Sequence, residues 1–428
     1  MNLTSSATGR NYYQAHAHRE TGFPNLQGEM TADVCIIGGG IAGCSTALHL
    51  AQRGYTVILL EAESIGSGAS GRSGGQLLPG YSSGQATLVK QAGKHIAQQL
   101  WALSVEAVQL STQLIQSHHI DCDLQYGHLD VAIKQRQRVE LLRHQQELSG
   151  LYQYRNLRFM EREELSEWVA SERYCAGLYD SFSAHVNPLD YTLGLSLAAQ
   201  RMGVRLYEHS RVLDITGQRD LRIQTAQGTI NARYAVLCAN VGNATFSSHL
   251  AQRMMPVSTY IVATESLGAE RANNLIRERA SVADMNFILD YFRVSADHRL
   301  LFGGRVSYSG HDFRDSTMAT RQRMVQVFPQ LIDTRIEYSW GGKLDISLNR
   351  APDFGRLQDN VFYLQGFSGH GMALAGLAGK LVAETLAGQA ERFDLFTRLK
   401  HRHFPGGPML RTPALVLAML WHRLRDLL

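Results

Sequence analysis

The order of hydrophobic and polar positions near the start of the chain predicts a strand, a turn, a helix and a second strand. The run from Asp33 to Ile37 is short and rich in β-branched residues, as in a buried parallel strand, and glycines follow it at once. Helical periodicity then extends from Cys44 to Arg53, and Gly54 ends that helix. The second strand, Thr56 to Leu60, stops at Glu61. These positions together predict one βαβ unit.

Later in the chain, helix-like and strand-like stretches come in separate blocks. The periodicity predicts helices at 95–117, 134–150 and 371–386, and strands at 127–133, 204–215, 221–225, 232–239, 258–265, 286–294, 300–304 and 361–366. The stretch 255–306 is typical of an antiparallel sheet because its strand-like pieces alternate with polar turns.

We therefore predict an α/β fold, α+β overall, in which a Rossmann-like domain is built from several segments and carries an inserted domain based on an antiparallel sheet. The predicted segments are 1–85, 150–245 and 330–400 for the Rossmann-like domain, 86–149 and 246–329 for the inserted domain, and 401–428 for a C-terminal tail with an amphipathic helix.

Composition narrows the class of protein. Hydrophobic residues make up 44% of the 428 residues, which is enough for a large core. The net charge of +4 is small and dispersed along the chain, so we expect no nucleic-acid partner. Five scattered cysteines and the lack of a secretory signal predict a reduced, cytoplasmic location. No stretch is long enough to span a membrane, although the segment 413–428 is compatible with weak peripheral contact. The oligomeric state stays open.

The turn of the βαβ unit has the G-x-G-x-x-G spacing of dinucleotide-binding proteins. Gly38 permits the turn, Gly40 lets backbone amides approach a pyrophosphate, and Gly43 allows the helix to pack closely. Glu61 at the end of the second strand can accept both hydroxyls of an adenosine ribose. The alternative is a purely structural glycine turn, and the complete βαβ context favours dinucleotide binding.

FAD and NAD share this half-site, so later stretches must distinguish them. The loop from Gly66 to Gln76 is rich in small residues and contains Arg72, which suits a path along phosphates and a flat ring system. The stretch from Gly366 to Met372 precedes a helix whose N-terminus would stabilise negative charge on a reduced flavin. The residues alone leave three alternatives open: an NAD-dependent dehydrogenase, a membrane-associated flavin dehydrogenase and a non-enzymatic flavin-binding protein. The histidine pairs lack partners at ligand spacing, so no metal site is predicted.

These motifs resemble those of the FAD-dependent glycine/sarcosine/D-amino-acid oxidase-like (DAO) family of amine oxidoreductases. The resemblance extends over nearly the whole chain, in the stretches 33–43, 65–77, 121–123, 289–293, 299–304, 354–357, 366–371 and 404–407. The middle and C-terminal stretches are similar to the branch of the family that oxidises γ-glutamylputrescine.

The resemblance implies bound FAD, held non-covalently because this chain has no cysteine or histidine where some members tether the flavin. On the adenosine and pyrophosphate side, the implied contacts are Gly38, Gly40, Ile41, Gly43, Glu61, Ala62, Val212, Ala239 and Gly242. On the flavin side, the implied contacts are Ser70, Arg72, Ser73, Gly75, Gln76, Gly369, His370, Gly371 and Met372.

The implied activity is oxidation of a small-molecule amine, with molecular oxygen as the acceptor and ammonia and hydrogen peroxide as products. For γ-glutamylputrescine this would be a step of putrescine catabolism. The alternative is another amine or amino acid, such as sarcosine, glycine or a D-amino acid, or electron transfer to a membrane acceptor. A guanidinium suits a substrate carboxylate and aromatic rings suit a carbon chain. The predicted substrate contacts are Tyr260, Arg293, Arg305 and Phe367, and the predicted catalytic residues are Tyr291, a proton relay, and Lys343, a cation for oxygen activation.

Overall fold

Two β-sheets with helices packed against them form the protein, in a computed structural model that describes residues 11–17, 22–307 and 313–405. For residues 305–307 and 313–315 it describes the backbone alone. The strands in chain order are β1 (Gly28–Ile37), β2 (Val57–Leu60), β3 (Gln76–Leu77), β4 (Gln125–Ala132), β5 (Leu157–Glu161), β6 (Ala176–His185), β7 (Arg205–Tyr207), β8 (Asp214–Thr216), β9 (Leu221–Gln224), β10 (Gly228–Leu237), β11 (Met254–Thr264), β12 (Ser281–Asp284), β13 (Tyr291–Val294), β14 (Leu300–Ser307), β15 (Ile336–Ser347), β16 (Asp353–Gln358) and β17 (Val361–Gln365). The α-helices are α1 (Tyr12–Ala15), α2 (Ile41–Ala51), α3 (Gln85–Ala92), α4 (Lys94–Ser117), α5 (Gln135–Leu151), α6 (Arg162–Ser166), α7 (Pro188–Arg201), α8 (Ser248–Arg253), α9 (Ala269–Leu275), α10 (Phe313–Val327), α11 (Gly371–Leu386) and α12 (Glu391–Thr397).

The first sheet is the doubly wound part of the molecule. Its strand order is β16-β17-β10-β1-β2-β7, and the β8–β9 hairpin extends it beside β10. The strands from β17 to β7 in this order are parallel to one another, whereas β16 and β9 are antiparallel to β17 and β10. Strand β1 lies between β10 and β2. The last residues of β1 and all of β2 are fully apolar and buried, because helices cover one face and the β8–β9 hairpin and α8 cover the other. The predicted βαβ unit is therefore present.

Helices α2 and α11 lie unusually close together beneath this sheet. A Cβ atom added to Gly379 of α11 would lie 2.5 Å from the backbone nitrogen of Thr46 in α2. The Ser45 hydroxyl donates a 2.7 Å hydrogen bond to the carbonyl of Gly376, which joins the same two helices. Only a residue without a side chain permits this crossing at position 379.

The second sheet has nine strands and is largely antiparallel. Its order is β15-β11-β14-β13-β12-β4-β6-β3, with β5 beside β6, and β4 and β12 form its one parallel pair in the described chain. One face packs toward the first sheet through Ile261, Leu301 and Trp340. The opposite face packs in a separate core that includes Phe292 and Phe302. The predicted fold class, a Rossmann-like α/β domain combined with an antiparallel sheet, is confirmed.

Sheet membership differs from the predicted division of the chain in several places. The segments predicted for the Rossmann-like domain contain β3, β5, β6 and β15, and all four strands pair in the second sheet. The sequence pattern predicts no strand at these four places, and the pattern within a segment carries no information about a distant pairing partner. The exact domain boundaries stay a prediction. The chain beyond residue 405, with its predicted amphipathic helix, lies outside the described residues, and no helix within them has the length and apolar character to cross a membrane.

We predict that Gly379→Ala destabilises the protein by about 1–3 kcal/mol, because the new methyl group must push α2 and α11 apart. The measurement is the free energy of unfolding in denaturant at saturating cofactor. Gly376→Ala in the same helix is the matched control. A Cβ there would meet no atom closer than 3.7 Å, so we expect no loss, and a gain of up to about 1 kcal/mol in helix propensity. Equal stabilities for the two variants would contradict the close crossing.

Candidate active site

A cleft of about 670 Å³ opens at the carboxyl ends of the parallel strands of the first sheet. Its walls include Gly38–Gly40 after β1, Glu61–Glu63 after β2 and Ala239–Gly242 after β10. In open α/β sheets, ligands bind at this edge, because the turns that follow the strands and the N-termini of the helices meet there. The cleft therefore lies where the sequence predicts a dinucleotide.

Each glycine of the G-x-G-x-x-G turn has a steric reason to be glycine. Gly38 has φ = 114°, and a Cβ on it would lie 2.5 Å from the carbonyl oxygen of Cys238. A Cβ on Gly40 would lie 2.7 Å from Oγ of Ser70, and one on Gly43 would lie 1.9 Å from the carbonyl oxygen of Gly38. Helix α2 starts at Ile41, directly after Gly40. Its N-terminus therefore faces the cleft and favours a bound anion.

The acid predicted to bind the ribose stands at the mouth of the same cleft. Glu61 accepts hydrogen bonds from the backbone N–H of Gly39 at 2.6 Å and of Glu63 at 2.9 Å. Ala62 and Val212 also line the cleft, beside Glu61. The lining thus fits the adenosine half of a dinucleotide, with the pyrophosphate toward Gly40.

The loop from Gly66 to Gln76 is held in place by donors from distant parts of the chain. The Arg72 guanidinium donates to the carbonyl of Ser67 at 2.7 Å and to that of Gly341 at 3.0 Å. The indole of Trp340 donates to the carbonyl of Arg72 at 3.0 Å. The hydroxyl of Ser70 accepts a hydrogen bond from the N–H of Ile41 at 3.0 Å. Both Ser70 and Arg72 line the cleft, so the loop is an ordered wall rather than a linker.

A short segment near the N-terminus completes the support of this loop. The Asn11 amide donates to the carbonyl of Gly71 at 3.3 Å, and the hydroxyl of Tyr13 donates to that of Ser73 at 2.9 Å. Tyr13 is fully buried, and its ring packs edge-on against Trp340. Sequence reasoning missed this role, since the segment has no motif; the adjacent tyrosines were its one signal.

Arg293 serves the loop and does not reach the cleft. Its guanidinium is buried and donates to the carbonyls of Gly74 at 2.7 Å and Val186 at 3.0 Å, and to the hydroxyl of Tyr13 at 3.2 Å. These bonds use Nε and one terminal nitrogen of the buried guanidinium, so the placement does not support the predicted binding of a substrate carboxylate. The N–H of Val186 also donates to the carbonyl of Gly75, which fixes that part of the loop.

The other predicted substrate contacts are placed differently from one another. Tyr260 lines the cleft on β11, opposite Gly341. Arg305 pairs with Tyr260 through the backbone, and its side chain lies outside the described part of the structure. The ring of Phe367 packs on Phe354 at 5.3 Å between centroids and does not line the cleft.

The two predicted catalytic residues are not brought together. Lys343 lines the cleft on β15, whereas Tyr291 is on β13, and β11 and β14 lie between these strands. Three interstrand spacings separate the two strands by about 14 Å. Tyr291 is also in register with Trp340, three residues before Lys343, so the two residues are farther apart than that. The Tyr291 ring packs against Gly74 of the loop and Gly303 of β14, where an added Cβ would lie within 2.8 Å of it. Burial raises the pKa of Tyr291 above its usual value, so its hydroxyl stays protonated.

The segment Gly369–Met372 lies beside the loop rather than in the cleft. The Ser73 hydroxyl donates to the sulfur of Met372 at 2.9 Å, and Nε2 of His370 lies 3.2 Å from the carbonyl of Pro79.

Asp345, another residue that the sequence analysis did not identify, accepts a 2.7 Å hydrogen bond from the N–H of Gly366. Burial raises the pKa of Asp345 to about 6. Gln76 lies on the far side of the loop, in β3, which pairs with β6. The cofactor contacts of Gln76 and of the segment Gly369–Met372 stay predictions.

The protein is similar to known oxidoreductases along nearly its whole length. The FAD dependent oxidoreductase (DAO) family profile matches residues 33–385. Gamma-glutamylputrescine oxidoreductase of Escherichia coli (strain K12) is 39% identical, with 97% of each chain covered. The probable oxidoreductase OrdL of Haemophilus influenzae is 36% identical and covers 100% of this chain and 99% of its own.

Solved structures agree with the fold. Glycine oxidase from Geobacillus kaustophilus superposes with a TM-score of 0.74 at 23% identity, covering 87% of this chain and 99% of its own. The profile match, the full-length relatives and a cleft whose glycines and acid fit a dinucleotide lead to one conclusion. The chain belongs to the DAO family of FAD-dependent oxidoreductases.

Proposed function

We propose that the protein oxidises γ-glutamylputrescine at its primary amine. In the balanced reaction, the amine, molecular oxygen and water give the γ-glutamyl aminoaldehyde, ammonia and hydrogen peroxide. The full-length similarity to γ-glutamylputrescine oxidoreductase of Escherichia coli is the observation that carries this proposal. The ordered loop and cleft described above are consistent with it.

FAD, when bound non-covalently in the cleft, supplies the two-electron acceptor for this chemistry. The residues of the chain then have separable tasks. Gly38, Gly40 and the N-terminus of α2 would hold the pyrophosphate, and Glu61 would hold the ribose. The loop from Gly66 to Gln76 would carry the flavin half toward the second sheet.

The amine must lose its proton before its neighbouring carbon can be oxidised. An alkylammonium with a pKa near 10.4 is neutral in about one molecule in 2,500 at pH 7. A site that removes the nitrogen from water favours the neutral form. Tyr291 keeps its own proton because its pKa is raised. This argues against an ionised base, and the role proposed for Tyr291 is a relay of protons toward water.

We expect Glu61→Ala to weaken FAD binding by about 100-fold or more, because two charge-assisted hydrogen bonds of about 1.5–3 kcal/mol each would be lost. The measurement is the FAD dissociation constant of the apoprotein, from flavin fluorescence. Glu167→Ala is the control. Its carboxylate is 70% exposed and does not line the cleft, so its removal should change the constant little. Unchanged affinity in Glu61→Ala would argue against the ribose assignment.

γ-Glutamylputrescine should be oxidised with one hydrogen peroxide formed per oxygen consumed, and free putrescine should be a much poorer substrate. The glutamyl head supplies binding energy far from the reacting carbon, so its removal lowers both affinity and rate. An oxygen electrode and a coupled peroxidase assay measure the two quantities. Preference for glycine, sarcosine or a D-amino acid would move the protein to another activity of the family. If no amine bleaches the flavin anaerobically, the proposed function is wrong.

The rate of anaerobic flavin reduction should rise with pH through one ionisation and then level off. That ionisation should lie below about 10.4, because burial of the amine disfavours its charged form. Stopped-flow measurements from pH 6 to 10 test this. Tyr291→Phe should lower the rate modestly and keep the ionisation, since its phenol is already neutral over this range. Loss of the ionisation in that variant would show that Tyr291 is the base.

A further inference from the structure

Asp130 is on the same face of the second sheet as Tyr291. It is on β4, opposite Ala283 of β12, which in turn pairs with Tyr291 of β13. Residues opposite each other in a sheet point to the same face. On that face, the Tyr291 ring packs against Gly74 of the loop. Asp130 is thus two strands, or about 10 Å, from Tyr291.

The Asp130 side chain is accessible although its strand is internal. It is 47% exposed, while β4 has β12 on one side and β6 on the other. Within the described residues it forms one ion pair, and that pair is long, 3.4 Å from Oδ1 to Nε2 of the buried His128. Nδ1 of His128 lies 2.8 Å from Oγ of Ser281, which orients the ring. A carboxylate has two acceptor oxygens, so most of the hydrogen-bonding capacity of Asp130 is left for a ligand.

The groups that act electrostatically on Asp130 are histidines from three elements. They are His128 of β4, His144 of α5 and His370 at the start of α11. Burial acts to raise the pKa of Asp130, but the bond to His128 and the other imidazoles outweigh it and leave the pKa below its usual value. Asp130 is therefore a carboxylate at neutral pH, and a cationic group of a ligand can form a charge-assisted hydrogen bond with it.

We propose that Asp130 binds the non-reacting ammonium group of the substrate. The proposal rests on the function proposed above and adds a substrate class: amines that carry a second cation about 10 Å from the reacting end. In γ-glutamylputrescine this cation is the α-ammonium of the glutamyl head. A remote cation at Asp130 leaves the reacting amine free to lose its proton near Tyr291.

The competing explanation is that Asp130 serves only to hold His128 in place. The 3.4 Å distance is too long for a strong bond, and a carboxylate that served only to hold a buried histidine would have no need of exposure. The structural role and the binding role also differ in an observable way. Only a residue that touches the substrate discriminates between substrates with and without the remote ammonium.

The test pairs one substitution with one change in the substrate. Asp130→Asn should lower kcat/KM for γ-glutamylputrescine by about 10- to 100-fold, mostly through KM, as expected for loss of a hydrogen bond to a charged group. The analogue N-(4-aminobutyl)glutaramic acid lacks only the α-ammonium. The unaltered holoenzyme should use it as poorly as Asp130→Asn uses the full substrate, and Asp130→Asn should not impair its oxidation further.

Asp359→Asn, in the exposed turn between β16 and β17, is the matched control and should behave as the unaltered enzyme with both amines. FAD content and the visible spectrum report whether Asp130→Asn has folded. If that variant does not fold, the comparison of the two amines on the unaltered enzyme still decides, and equal kcat/KM for them overturns the proposal. Equal losses on both amines in Asp130→Asn also overturn it. If the unaltered enzyme oxidises neither amine, the proposed function itself fails.

Discussion

The approach of helix α2 to strand β1 is the constraint on which the site depends. Because Gly43 has no side chain, its Cα can pack against the carbonyl of Gly38, where a methyl group would lie 1.9 Å from the oxygen. That contact brings the N-terminus of α2 to the edge of the sheet. Gly379 has the same effect between two helices, because its missing side chain lets α11 lie against α2. Two contacts between backbones thus position α2, whose N-terminus faces the cleft, and α11, which packs against it.

The loop from Gly66 to Gln76 shows how the two sheets share one site. Its carbonyls turn away from solvent, and a buried carbonyl needs a donor. Trp340 and Arg293 of the second sheet and Tyr13 of the N-terminal segment supply donors to three consecutive carbonyls, those of Arg72, Ser73 and Gly74. The order of this glycine-rich stretch therefore comes from its surroundings. Anything that shifts the second sheet also shifts the wall of the cleft.

Sequence reasoning succeeded where the cause of structure is local. The βαβ unit and the helix at 371–386 follow from periodicity and glycine placement within short windows. It failed where the cause is a distant partner, as for β15, whose residues pair with β11 some eighty positions earlier in the chain. Arg293 illustrates the same limit in the site. An arginine in a strand has the same sequence context whether it binds a ligand or donates to three buried acceptors. Only the tertiary structure distinguishes these two roles. Asp130 belongs to no motif, so nothing in its sequence context marks it.

The donors to the loop also impose an order on biosynthesis. The carbonyls of Gly71 and Ser73 accept hydrogen bonds from Asn11 and Tyr13, which are synthesised before them. The carbonyl of Arg72 accepts its hydrogen bond from Trp340, which is synthesised much later. Bringing Arg72 and Trp340 together closes a long loop of chain, which costs conformational entropy before the contact can stabilise it. The wall of the cleft is thus completed only after about four-fifths of the chain has been synthesised. Until then the carbonyl of Arg72 lacks its donor, and the nascent chain lacks a finished cradle for its cofactor.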